Sequence, residues 1–320
     1  MMLGTIAGVT NNRTMTNEVV LEARGLARKF GRKSALNNFN LTLKRGEAVA
    51  LLGLNGAGKS TALNLIAGAL QADQGSIAVC GYDTRSDAAR ARSQLGFLPQ
   101  RPPLCGDMQV ASYLRFCAEL HGIPDVSGAV DAACSMCKLS EVRERRIAHL
   151  SQGYQQRIGI AQAIVHRPAL VVLDEPTNSL DPAQINQVRG LISQLSENAA
   201  VLLSTHILPE VRQFASRVAI LHDGQLVHDS ALGETGSRVR VRFDDSVPAQ
   251  ELAAVAGVTV IAQEDDNRWT LDLEDQTSSQ FVEYAVGAGW ALSEMQPDHD
   301  GLEQRFLAVT RSDPLDIPDN

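Results

Sequence analysis

Three short runs along the chain are continuously apolar: AVALL (48–52), LVVLD (170–174) and AVLLST (200–205). Runs of this length suit strands buried on both faces of a mostly parallel sheet. Between them lie longer stretches with helical spacing, so residues 18–232 read as an alternating α/β domain with a mostly parallel sheet, an antiparallel edge and a helical part. The strand signal stops between Arg101 and Leu150. There DMQVASYLRFCAELHGI and VSGAVDAACSMCKL carry helix periodicity, which predicts a helical insertion over 101–150.

The pattern changes near Ser237. RVRVRF alternates with period two, as a half-exposed strand does. It is followed by a helix-like PAQELAAVAG, strands VTVIAQ and RWTLDLE, a helix SSQFVEYAVGAG, a strand ALSEMQ and a helix GLEQRFLAV. The order β-α-β-β-α-β predicts a small α+β, ferredoxin-like domain over 237–310. Residues 1–17 lack both a basic start and a long apolar middle, so they read as a flexible leader and not as a signal peptide. Residues 311–320 read as a disordered tail.

Charge separates the same two regions. From residue 231 onward there are 6 Arg and no Lys against 18 Asp and Glu, a net of −12; residues 1–230 carry 23 basic against 19 acidic residues. An acidic C-terminal part argues against nucleic acid as its partner. No apolar run approaches the ~20 residues needed to span a bilayer. Cys134 and Cys137 form a lone CxxC in a helix-like segment. A zinc site would want a second pair, so these thiols read as small buried residues of a reducing compartment.

The chemistry is concentrated in the first region. GLNGAGKS (Gly53, Asn55, Gly56, Ala57, Gly58, Lys59, Ser60, with Thr61 next) fits G-x-x-x-x-G-K-[ST] between an apolar strand and a helix. Glycines let such a loop curl its N–H groups toward phosphate oxygens, and the helix start adds a positive end. Lys59 brings charge to the β- and γ-phosphates, and the Ser60 hydroxyl suits Mg²⁺. In LVVLDEP, Asp174 ends a buried strand where it can hold the Mg²⁺ shell. Glu175 follows, placed to accept a proton from an attacking water. The octapeptide LSQGYQQR (150–157) reads on its own as a helix start, with Ser151 capping a segment that runs from Tyr154 onward.

GLNGAGKST, FLPQ, LSQGYQQR, LVVLDEPTNSLDP and STH, in that order, resemble the nucleotide-binding subunit of an ABC (ATP-binding cassette) transporter. Gln100 lies 41 residues after Lys59, Ser151 lies 24 before Glu175, and His206 lies 31 after Glu175. The resemblance covers roughly residues 19–230 and implies the P-loop ABC ATPase fold, with ATP and Mg²⁺ as its nucleotide and metal. It implies that Phe30 stacks on adenine, that Gln100 senses Mg²⁺ and the attacking water, and that His206 contacts the γ-phosphate. It further implies that Asp181 sits at a dimer seam and that the octapeptide, with Ser151 and Gly153, is the family signature. That signature, normally LSGGQ, closes over the ATP of a second subunit; Gln152 and Tyr154 depart from it.

The subunit so implied works as a homodimer beneath a permease on a separate chain, at the cytoplasmic face of the cell membrane. The stretch from Leu150 to Val211 and the ending GLEQRFLAVT are similar to the gliding-motility and exporter subgroup. A soluble ABC ATPase acting on ribosomes or DNA is the alternative, disfavoured by a single cassette and an acidic C-terminal region. A module that binds ATP without turnover is disfavoured by the presence of Lys59, Asp174, Glu175 and His206.

Overall fold

The computed structural model describes residues 18–178, 180–232, 238–265, 267–273 and 278–297. The leader at 1–17, the helix at 301–309 and the tail at 311–320 lie outside the described residues. The chain forms two compact units, residues 1–229 and 230–320.

The first unit runs β1 (Val19–Phe30), β2 (Lys33–Lys44), β3 (Ala48–Leu52), α1 (Lys59–Ile66), β4 (Gln74–Val79), β5 (Tyr82–Asp83), α2 (Ala88–Ser93) and β6 (Leu95–Leu98). Then come α3 (Val110–Leu120), α4 (Val126–Met136), α5 (Gln152–Ile164), β7 (Leu170–Leu173), α6 (Pro182–Ser196), β8 (Ala200–Thr205), α7 (Leu208–Phe214), β9 (Arg217–His222) and β10 (Gln225–Ala231).

A six-stranded sheet has the order β10-β9-β3-β8-β7-β6. The pairs β9–β3, β3–β8, β8–β7 and β7–β6 are parallel. Every residue of β3, β7 and β8 is buried. This is why their sequences are continuous apolar runs and do not alternate. The neighbours β3, β8, β7 and β6 all end on the same edge of the sheet. The loops that leave them therefore meet, and these loops carry the glycine-rich turn, His206, Glu175 and Gln100.

The sequence reading gave antiparallel structure only as an edge. The Asp223–Gly224 turn does bring β10 back beside β9 at the edge, but β2-β1-β4-β5 form a separate four-stranded sheet. Its register slips at several points in β1, between Ala23 and Leu26 for example. Such bulges break the period-two alternation that would have announced a strand. Both sheets contribute to one apolar core that includes Leu21, Phe39, Leu51, Leu63, Leu170 and Leu202.

The predicted insertion contains α3 and α4. The Asp125 carboxylate caps α4 by accepting from the Gly128 amide at 2.9 Å. Cys134 and Cys137 are both buried, and burial pushes both thiols up from their ordinary range.

The second unit has β11 (Arg238–Phe243), α8 (Ala249–Ala253), β12 (Thr259–Asp265), β13 (Arg268–Asp272), α9 (Ser278–Gly287) and β14 (Leu292–Pro297). The strands form an antiparallel sheet in the order β12-β13-β11-β14. Val239, Val241 and Phe243 of β11 are buried with Trp269, Leu271 and Phe281, while Arg242 is exposed. The alternation RVRVRF is thus one apolar face and one arginine face.

Candidate functional site

The loop after β3 is shaped by close approaches that only glycine allows. A Cβ on Gly53 would lie 2.5 Å from the Leu221 carbonyl oxygen, and one on Gly58 would lie 2.4 Å from that of Ala35. Gly58 also has φ +106° at the start of α1, a conformation that side chains disfavour. The loop is tied down from outside by the β9–β10 turn, where the Gly224 amide donates to the Ala57 carbonyl at 3.0 Å.

Lys59 is buried and folds back on its own loop. Its Nζ donates to the carbonyls of Gly53 at 2.8 Å and Leu54 at 3.1 Å. Burial holds its pKa below the ordinary lysine value, against the opposing pull of Glu175 and Asp174. An ammonium in this position is poised for a stronger anionic partner.

Asp174 and Glu175 follow β7. The Ser204 hydroxyl, buried at the end of β8, donates to Asp174 Oδ1 at 2.6 Å and accepts the Glu175 amide at 2.8 Å. Ser60 Oγ also donates to Asp174 Oδ1, at 3.3 Å. This hydroxyl and carboxylate are hard oxygen donors, the set that Mg²⁺ takes beside substrate phosphates. Glu175 has φ +47°, an uncommon conformation for a non-glycine residue. Its carboxylate is held on both oxygens. Gln100 Nε2 donates to Oε2 at 3.2 Å, Asn178 Nδ2 donates to Oε2 at 3.3 Å, and His206 Nδ1 lies 3.3 Å from Oε1.

The structure therefore brings Lys59, Ser60, Asp174, Glu175, Gln100 and His206 into one connected cluster. Reading the sequence missed Ser204 and Asn178. Both lay inside quoted motifs, and for Ser204 the available signal was a polar residue near the end of an otherwise apolar strand.

Gly53, Asn55, Gly56, Ala57, Gly58 and Thr61 flank Lys59 and Ser60 in the loop and the start of α1, while Phe30, Ser151, Gly153 and Asp181 sit on other elements. Phe30 ends β1 with half its surface exposed, and the Arg28 guanidinium sits 5.1 Å from its ring centre. Ser151 occupies the N-cap position of α5, which starts at Gln152 and not at Tyr154. The cap reading of its side chain is corrected: the backbone has the extended conformation usual for an N-cap, but the hydroxyl bonds no amide of the helix it precedes. A Cβ on Gly153 would fall 2.3 Å from Gln184 Oε1. Gln184 belongs to α6, whose N-cap is Asp181; that carboxylate accepts the Gln184 amide at 2.9 Å. The signature stretch and the Asp181 turn are thus packed together, and Gln152 and Gln155 of that stretch line one cavity with Gln100 and Asn178. Tyr154 is stacked under Arg157, 4.2 Å from ring centre to guanidinium carbon.

Among the described residues, no helix is long and apolar enough to cross a membrane.

Residues 36–178 match the family model described as ABC transporter. The bacitracin transport ATP-binding protein of Enterococcus faecalis is 32% identical over 299 residues, covering 91% of this chain and 96% of that protein. The linearmycin resistance ATP-binding protein of Bacillus subtilis is 31% identical over 307 residues, covering 91% and 98%. A dimeric ATP-binding cassette solved in a post-hydrolysis state with ADP and Pi superposes with a TM-score of 0.60 at 25% identity, over 66% of this chain and 98% of that one. With a phosphate loop, a clamped carboxylate pair and relatives matched along nearly their whole length, the chain belongs to the ABC transporter family as an ATP-binding subunit that hydrolyses ATP.

Proposed function

We propose that this subunit powers an exporter, working as a homodimer beneath a separate permease at the cytoplasmic face of the cell membrane. The observation that carries the chemical part is the hold on Glu175 by Gln100, Asn178 and His206, one residue from Asp174. In this reading Lys59 leaves the Gly53 and Leu54 carbonyls to meet the β- and γ-phosphates of ATP. Ser60 and Asp174 would hold Mg²⁺, and Gln100 would sense it. When bound, the ion neutralises charge on the phosphate oxygens. Glu175 accepts a proton from water as the water oxygen bonds to the γ-phosphorus and the bond to the bridging oxygen breaks. His206 and Gln100 keep the carboxylate aimed. Phe30, exposed at the end of β1, stacks on the adenine. Gly53, Asn55, Gly56, Ala57, Gly58 and Thr61 line the phosphates.

Ser151, Gly153 and Asp181 meet the nucleotide of the second copy in this proposal. The packing of Gly153 against the helix capped by Asp181 supports a single surface that carries all three. Relatives named for bacitracin transport and linearmycin resistance support the exporter reading. The gliding-motility likeness rests on sequence alone, the stretch from Leu150 to Val211 and the ending GLEQRFLAVT. Residues 18–232 act as the cassette and 237–310 as an accessory domain. The β12-β13-β11-β14 order supports reading the latter as ferredoxin-like.

The proposal is tested by purifying the chain alone and co-expressed with a candidate permease, a multi-span membrane protein taken from its neighbouring genes. Phosphate release that needs Mg²⁺, stops with EDTA and rises in the co-purified complex is the expected result. A chain that hydrolyses ATP but never co-purifies with that membrane protein would contradict the permease part.

A further inference from the structure

Glu210 is a charged residue of the first unit with only 7% of its surface exposed, and the chemistry above does not use it. It lies on α7, next to the site but outside the quoted motifs. Its Oε2 accepts two hydroxyls, Thr177 Oγ1 at 2.9 Å and Thr205 Oγ1 at 2.8 Å. Both threonines are buried. Thr205 Oγ1 in turn accepts the Ile207 amide at 3.0 Å, so the turn around His206 is closed on the same network.

The placement of these hydroxyls is what matters. Thr177 lies two residues after Glu175 on the loop leaving β7. Thr205 lies one residue before His206 on the neighbouring strand β8. A single carboxylate oxygen therefore joins the loop of the base to the loop of the histidine that holds it. Burying a carboxylate is costly unless it is hydrogen-bonded, and an apolar side chain would fill α7's inner face without that cost. Glu175 itself sits at φ +47°. A residue in that region persists when its surroundings over-determine it. Ser204 fixes the Glu175 amide from one side, and the Thr177–Glu210–Thr205 bridge fixes the two loops from the other.

We propose that Glu210 is a positioning residue for ATP hydrolysis: it fixes the distance between the Glu175 and His206 loops through Thr177 and Thr205. The inference rests on the reading of Glu175 as the base. It assigns Glu210 no contact with ATP. Removing it should loosen the aim of Glu175 while leaving the phosphate loop intact. The effect belongs in kcat and not in the binding of ATP.

The test uses the full chain and compares Glu210→Ala, Glu210→Gln, Glu175→Gln and the Glu210→Ala/Glu175→Gln pair. For Glu210→Ala, kcat should fall on the order of 10-fold, inside the 10²-fold range that a 1 Å misplacement can reach, with ATP affinity within about 2-fold. Glu210→Gln, whose amide oxygen can still accept both hydroxyls, should recover most of the rate. In the Glu175→Gln background the alanine change should lower the residual rate no further, because its route of action is gone. Thr177→Val and Thr205→Val, which keep the carboxylate and remove one of its donors each (the latter also the acceptor of the Ile207 amide), should lower kcat about 3-fold apiece, a smaller share of the same misplacement. They carry the test if Glu210→Ala does not fold. Wild-type turnover in Glu210→Ala or in both valine variants overturns the inference. So does a Glu210→Ala loss that appears equally in ATP affinity, or that multiplies with Glu175→Gln. Wild-type turnover in Glu175→Gln would instead overturn the reading of Glu175, and this inference with it.

Discussion

The carboxylate cluster and the signature stretch are opposites in how far they are completed within one chain. Around Glu175, partners are in place: Gln100, Asn178 and His206 on the carboxylate, Ser204 on the amide, Ser60 and Ser204 on the adjacent Asp174. At LSQGYQQR, Ser151 is exposed and its hydroxyl makes no cap bond, although it occupies the cap position. A serine at an N-cap ordinarily bonds the second or third amide of its helix. Here the hydroxyl and the first amides of α5 are left for something else. The difference teaches that the first site is preorganised by this chain, while the second is, in the function proposed, half a site whose complement is a phosphate carried by another copy.

The largest effect expected on this comparison is at the completed site. Glu175→Gln keeps the shape of the side chain but cannot take a proton, so turnover should fall on the order of 10²–10⁴-fold. MgATP should still bind, and ATP-dependent dimers should accumulate on a sizing column. Turnover at the wild-type rate would remove Glu175 as the base.

Lys59→Met comes next. It should abolish the stabilisation by ATP, which for wild type is about 2.7 kcal/mol at a ligand concentration 100 times Kd. Apo stability should stay within about 1 kcal/mol of wild type, because relief of a buried charge offsets two lost hydrogen bonds. Thermal melts with and without MgATP measure both. A retained ATP shift would show that Lys59 is not the phosphate group's partner.

Ser204→Ala removes the link between Asp174 and the Glu175 amide. Leaving that buried amide unpaired should cost about 1–3 kcal/mol in chemical denaturation, with a fall in kcat. An unchanged midpoint would mean that the strand end relaxes and that the cluster is less fixed than its distances indicate.

The smallest effect separates the two regions most cleanly. Ser→Ala at an N-cap typically costs about 0.5–2 kcal/mol. Because Ser151 makes no cap bond, Ser151→Ala should change stability by less than about 0.5 kcal/mol, the range of ordinary surface substitutions, yet reduce ATPase activity. A loss of stability of full cap size would mean that Ser151 serves its own helix.

The parts of the molecule that were legible in sequence share one property: their chemistry fixes residue type and spacing together. The phosphate loop needs glycine where Leu221 and Ala35 leave no room, and β3, β7 and β8 need unbroken apolar runs because both faces are covered. RVRVRF was legible because β11 has one buried and one exposed face. What escaped were groups whose role depends on geometry alone. Ser204, Asn178, Thr177 and Glu210 are ordinary polar residues until the fold sets them 2.6–3.3 Å from their partners. The long strand β1 escaped for a different reason, since its register shifts scramble the alternation of its side chains.

The central claim is that the signature stretch completes a site on another copy, and mixing two inactive variants tests it. Lys59→Ala disables the phosphate loop; Ser151→Arg blocks the signature. Alone, each should be nearly inactive, since every site in its dimers is damaged. Mixed under conditions that allow exchange, about half the dimers contain one of each, and each of these has one composite site with Lys59 and Ser151 both intact. If sites act independently, ATPase activity should return to about a quarter of wild type. Full activity of Ser151→Arg by itself would contradict the claim and leave the octapeptide as no more than the start of a helix.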